Sequence, residues 1–343
     1  MSIRESQAFF ALGSHSVSLN YVETQARDFF SKDPGVVNIY FAENYPWPES
    51  AYKTTKRFQS QHSSYFSAVI QANRLREHSQ VFSRRDLERE KARLAAHVES
   101  SQAAGEGNSV YSVAELFMID RLEKEFGLIV ETEYIPDSGF KEAMRLDQEI
   151  GDIENTMLNQ AIQGRLDQAI ATTQNGFKGM AVWINNRNEM ITDELYQAVR
   201  NTGGRTFRLY TRLGADHDTV EDSFRQRFIP EDVPTILHEF DSDGSDNRSY
   251  VERVLLKLQK ESDGTVSVDE ACRIILEKLI QIQLLSAGRT REQVISTVDK
   301  VLERTDYEEI DSLLRKISTE AVLLSPGESL ARNISKFVSS KIF

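Results

Sequence analysis

Apolar residues in this chain follow two rhythms, short continuous runs and stripes spaced three or four apart, and their alternation lays out the architecture. Ala8-Phe-Phe-Ala-Leu-Gly13 is a continuous apolar run closed by Gly, the pattern of a strand covered on both faces. Val22, Ala26, Phe29 and Phe30 recur at helical spacing until Asp33-Pro-Gly35 stops the helix. Val36 to Ala42 is β-branched and aromatic and predicts a second strand. Strand, helix, strand in this order is a βαβ unit, with parallel strands and a right-handed crossover.

From about residue 49 to 126 the pattern turns helical and polar. Within it, Arg84 to Arg93 sets opposite charges three apart at Asp86 and Arg89, Glu88 and Lys91, and Glu90 and Arg93, a ladder that suits an exposed helix. Ser101 to Asn108, with Gly105 and Gly107, reads as a loop. Strands are expected again at Leu128–Ile135, Met180–Ile184 and Thr206–Tyr210, with helical segments at about 139–174 and Ile191–Val199 between them. Five strands separated by helices predict an α/β fold: a mostly parallel sheet covered by helices, with a helical insertion. Ligands in such sheets sit beyond the carboxyl ends of the strands, so the residues just after each strand are the ones to search.

The last hundred residues change texture. Capping-box pairs recur at Ser267 with Glu270, Thr290 with Gln293, Thr305 with Glu308 and Ser325 with Glu328. Behind them run apolar stripes such as Ala271, Ile274 and Ile275, then Val294, Val298 and Val301, then Ile310, Leu313, Leu314 and Ile317. Four short helices forming an all-helical module are expected. The organisation expected is therefore an α/β domain over 1–213 with its insertion at about 49–126, a linker over 214–245, and a helical module over 246–343.

Composition narrows the functional classes. With 343 residues and 40% hydrophobic content the chain is long and apolar enough to fold into about two domains. One Cys excludes an intramolecular disulfide and cysteine-rich metal sites. A net charge of −12 argues against nucleic acid as a partner. Residues 214–343 carry 25 acids against 17 bases, so most of that acidity falls in the C-terminal part. No cleaved signal and no transmembrane segment are expected, which predicts a cytoplasmic protein, with leaderless secretion as the alternative.

Phosphate-binding Gly-x-x-x-x-Gly-Lys, Gly-x-Gly-x-x-Gly, Gly-x-Ser-x-Gly and His-Glu-x-x-His are all absent. The candidate chemistry lies at strand ends. The first strand runs into Gly13-Ser-His15 and the second into Glu43, so His15 and Glu43 are expected on one rim, as a metal pair or as a base with its orienting partner. Their bland reading is a helix cap and a solvated carboxylate. Asp241 to Glu252 sets oxygens at the spacing of a calcium loop, but Asp246 stands where the turn needs Gly, so it reads as an acidic linker. Among the other histidines, His217 in Gly214-Ala-Asp-His217 is the one able to fold over the same rim, because it follows the last expected strand.

Gly13-Ser-His15 after a first strand, a helix, and Glu43 closing a second strand resemble the TraB/Tiki and ChaN-like superfamily, which also holds erythromycin esterases. The stretch from Leu166 to Tyr210 is similar to that superfamily's closing helix, strand, helix, strand unit. The resemblance implies a metal-assisted hydrolase of peptide or ester bonds, acting on a protein or small-molecule substrate with a divalent metal ion. It implies haem or iron binding in one branch, and related domains occur in bacterial toxins and effectors. A noncatalytic interaction protein is the alternative. Where the superfamily places a second Gly-x-x-His after its late strand, this chain reads Ile184-Asn-Asn-Arg-Asn-Glu189, with no His, so the site is either rebuilt or inactive. Glu189 is then the expected replacement metal ligand beside His15 and Glu43, and Arg187 with Asn186 the expected substrate contacts.

Overall fold

The structure, a computed structural model, describes residues 6–13, 19–62, 64–103, 111–214, 217–229, 232–240, 248–261, 264–289, 291–321 and 326–342. It is an α/β protein with a five-stranded, all-parallel sheet and 13 helices among those residues. The chain divides into two compact units. Unit 1 comprises Met1–Lys141 and Asn188–Ser245, and unit 2 comprises Glu142–Arg187 and Asp246–Phe343. The C-terminal part of unit 2 begins at 246, where the helical module was expected, but the expected linker 214–245 belongs to unit 1 and residues 142–187 belong to unit 2.

Unit 1 holds the sheet, in the order β3-β2-β4-β1-β5. Its strands are β1 (Gln7–Gly13), β2 (Val37–Pro48), β3 (Ile129–Ile135), β4 (Phe207–Gly214) and β5 (Thr235–Phe240). Buried apolar side chains on both faces explain the continuous apolar runs. On one face Tyr40, Ala42, Val130 and Tyr210 pack against Val22 and Ala26 of α1 (Leu19–Phe29). Tyr65 and Val69 of α3 (Tyr65–His78) and Met118, Ile119 and Leu122 of α5 (Tyr111–Phe126) complete that layer. On the other face Phe10, Leu12, Ile39, Phe41, Leu209 and Leu213 meet two helices. These are the end of α7 (Leu166–Arg200), through Ile191, Leu195 and Ala198, and α8 (Thr219–Gln226), through Val220 and Phe224. The helical insertion is α2 (Glu49–His62), α3, α4 (Arg84–Ala103) and α5.

Two strand assignments change. Met180–Ile184 lies inside α7, because its apolar residues belong to a longer helical stripe: Phe177, Ala181 and Ile184 are buried while Val182 is 56% exposed. A five-residue apolar run does not by itself separate strand from helix. The fifth strand is β5, within the expected linker; its Thr235-Ile-Leu-His-Glu-Phe240 sequence is the mixed pattern of an edge strand. The second strand, expected to end at Ala42, runs on through Pro48 with a register shift between Ala42 and Trp47.

Unit 2 is helical. Residues of α6 (Asp137–Ile162) and α7, including Met157, Ala161, Ala169, Phe177 and Ala181, share one core with α9 (Tyr250–Lys260) and α10 (Val268–Ser286). The same core takes in α11 (Arg291–Glu303), α12 (Tyr307–Ala321) and α13 (Pro326–Ile342), which is why 142–187 join the C-terminal helices. At Gly176 the two long helices come so close that a Cβ would stand 2.4 Å from Ile153 Cγ2. Ser267 and Glu270 form the expected capping box at α10, and Ser249 with Glu252 forms one at α9. At α12 the cap is Asp306 with Glu309 rather than Thr305 with Glu308; Thr290, Ser325 and residues 241–247 lie outside the described residues. Cys272 and Glu277 of α10 are fully buried in this core. Glu277 accepts the Val251 N–H at 2.8 Å, and burial pushes its carboxyl up to about 7. Among the described residues no helix is long and apolar enough to cross a membrane.

Candidate functional site

The sheet contains a topological switch. The chain leaves β1 into α1 on one face and leaves the neighbouring β4 into α8 on the other, so the layers part at the carboxyl ends of these strands. Strand β2 flanks β4 on its other side, with Ala42 opposite Arg212. The next residue on β2 is Glu43, and β4 ends at Gly214, three residues before His217.

Glu43 and His217 meet there. Glu43 Oε1 lies 3.1 Å from His217 Nε2, and Glu43 Oε2 accepts the Gly214 backbone N–H at 2.5 Å. The two side chains are only 9% and 4% exposed, so the contact is made almost without water and its electrostatics are correspondingly strong. The second ring nitrogen, Nδ1, faces Asn188 Oδ1 in a hydrogen bond. Asn188, buried on α7, donates through Nδ2 to Thr219 Oγ1 at 2.7 Å, at the first residue of α8. A carboxylate, an imidazole, an amide and a hydroxyl thus form one connected chain drawn from β2, the residues after β4, α7 and α8.

A second buried carboxyl lies on the opposite face of the sheet. Glu115 of α5 accepts the Tyr40 hydroxyl at 3.0 Å. Burial pushes this carboxyl up to about 7, the Tyr40 bond opposes that rise, and the Glu43 charge adds to it. Burial likewise holds the Tyr40 phenol well above its ordinary range. Tyr210, stacked on Tyr40 at 5.7 Å, donates to Gln25 at 2.6 Å, and Gln25 donates in turn to Glu239 at the end of β5.

Of the residues expected at the site, Glu43 stands at the rim, and His15 lies outside the described residues. Glu189 does not join Glu43: it is exposed on α7 and pairs with Arg227 at 3.0 Å, which also holds Asp193 at 2.6 Å. Arg187 and Asn186 lie in the interior of α7, in the part belonging to unit 2, not on a strand-to-helix turn. The physical reason is the same for all three, since no strand ends at Ile184. Among the described residues no group of three or more His, Cys, Asp and Glu side chains gathers as a metal site. Asn188 and Glu115 were not anticipated. A polar residue on the buried stripe of a helix, as Asn188 is between Ile184 and Ile191, is the signal that was available for the first.

No family model matches this chain, and neither the curated proteins nor the solved structures contain a match to it.

Proposed function

We propose that unit 1 is a hydrolase domain of the Tiki/TraB and ChaN-like kind, acting on a peptide or ester bond, with Glu43 and His217 at its centre. The observation that supports this reading is Gly214-Ala-Asp-His217: it follows β4, the late strand of the sheet, and its imidazole faces Glu43 at 3.1 Å. The resemblance asks for a Gly-x-x-His at that place, and the motif looked missing only while 180–184 counted as the late strand.

The donor set fits a divalent ion. A carboxylate oxygen and an imidazole nitrogen are the ligands such ions accept, and two donors each roughly 2.1 Å from a common centre stand about 3 Å apart. When bound, the ion lowers the pKa of a coordinated water toward neutrality and supplies a nucleophile. Glu43, held by the Gly214 N–H, presents Oε1; His217 presents Nε2 beside it; the buried rim keeps both out of bulk water.

Calorimetric titration of the metal-stripped full chain with Zn²⁺ and with Mn²⁺ tests the reading, beside a panel of peptide and ester substrates. Binding and hydrolysis are expected in the natural chain, with affinity at least tenfold weaker in Glu43→Gln and in His217→Gln at unchanged circular dichroism. A chain that binds neither ion, or variants that bind as well as the natural chain, would overturn it.

A further inference from the structure

Histidine presents two different nitrogens, and the hydrogen bond made by one decides which of them carries the proton and which is left for chemistry. His217 meets an oxygen at each: Glu43 Oε1 at Nε2 and Asn188 Oδ1 at Nδ1. The Asn188 amide is turned with Oδ1 to the ring and Nδ2 to Thr219 Oγ1, to which it donates at 2.7 Å. The end turned to the ring is therefore the carbonyl oxygen, which can only accept, so the proton of that bond belongs to Nδ1. Asn188 is 3% exposed and is fixed on a helix, so it has no water to turn toward.

We propose that Asn188 is a positioning residue that pins a proton on Nδ1 of His217 and thereby reserves Nε2 for the Glu43 side of the site. Thr219 supports the device by accepting from the other end of the amide. The assignment rests on Glu43 and His217 being the reactive pair, and it explains why a buried Asn interrupts the apolar stripe of α7 at the level of the strand ends. The three residues come from α7, the segment after β4, and α8, so their agreement depends on the packing of unit 1 rather than on any local motif.

The test is the ring's own ¹⁵N signature in the labelled full chain, with the His217 signals assigned by their loss in His217→Gln. Nδ1 is expected to read as a protonated nitrogen in the natural chain and in Asn188→Asp, which keeps an acceptor in place. In Asn188→Leu that preference is expected to vanish and Zn²⁺ affinity to fall roughly 10–100-fold, the usual cost of losing a residue that orients a ligand. Thr219→Val, which frees the amide to turn end for end, is expected to populate the form protonated at Nε2 alone, and it carries the test if Asn188→Leu does not fold. A bare Nδ1 in the natural chain, or an Asn188→Leu ring and affinity identical to the natural ones, would refute the assignment. A chain that binds no Zn²⁺ yet holds its proton on Nδ1 would sink the hydrolase reading and leave Asn188 in its role.

Discussion

Replacing Glu115 by Gln isolates one buried proton. The Gln side chain keeps an oxygen for the Tyr40 hydroxyl, which lies 3.0 Å from the carboxyl, and removes only the capacity to ionise. The carboxyl titrates at about 7 in the folded chain against 4.5 in the open one, chiefly because it is buried. The sign follows directly: the folded state binds this proton more tightly, so the contribution to stability is full below pH 4.5 and drains away as pH rises through 7. Each pH unit of difference is worth about 1.4 kcal/mol, which makes the total about 3 kcal/mol, of which about 2.5 kcal/mol falls between pH 5 and pH 8. Urea unfolding at pH 5, 6, 7 and 8, read by hydrogen-exchange mass spectrometry on β2 and β4 peptides, follows unit 1 by itself. The Gln variant is expected to gain about that amount on the natural chain across the range. Glu123, Glu194 and Glu277, also raised to about 7, cancel in the difference because both chains carry them. Two parallel pH profiles would show that Glu115 is not held protonated and that the electrostatic account of this face is wrong.

Three further outcomes are expected. Gly176→Ala puts a methyl 2.4 Å from Ile153 Cγ2 and should lower the stability of unit 2 by roughly 1–3 kcal/mol in urea unfolding, with recovery when Ile153→Ala is added. Thr192→Val removes a fully buried hydroxyl that has no partner among the described residues, so thermal unfolding should shift upward, by an amount corresponding to about 1 kcal/mol. Ser267→Ala deletes the hydroxyl that accepts the Glu270 N–H at 3.1 Å and should destabilise α10 by about 1 kcal/mol, seen as faster hydrogen exchange in its first turn.

Strands β1 and β2 were legible as apolar runs, Ala8–Leu12 and Val36–Ala42 with only Asn38 polar, and β3 and β4 as β-branched and aromatic residues alternating with polar ones. The same logic failed at Met180–Ile184, where five residues of a 35-residue helix imitate a strand. It failed again at β5, whose edge position lets His238 and Glu239 sit in a strand sequence. Two errors therefore cancelled in the count of five. Glu43 was legible from its place after an apolar run, and His217 from its place after the last one. Their partnership was hidden, because pairing β2 with β4 depends on how crossovers order the sheet. Asn188 and Glu115 reach their partners from helices distant in sequence, and only Asn188 carries a local sign, a polar side chain on an apolar helical stripe. The membership of 142–187 in unit 2 was hidden for a similar reason: the stripe of α6 and α7 shows that an apolar face exists but not which other helices will cover it.

Cys272 turns the second unit into its own clock. It is the only thiol in the chain, it is wholly enclosed by the helical core, and burial pushes it up to about 11, so at neutral pH it is neither reachable nor a thiolate. A small alkylating reagent can therefore react only during moments when the helices around α10 part. The rate of its consumption counts those openings, without any engineered label and without a signal from the sheet-bearing half of the molecule. Whatever ligand or partner slows that rate must tighten unit 2, and one that binds while leaving it unchanged acts elsewhere.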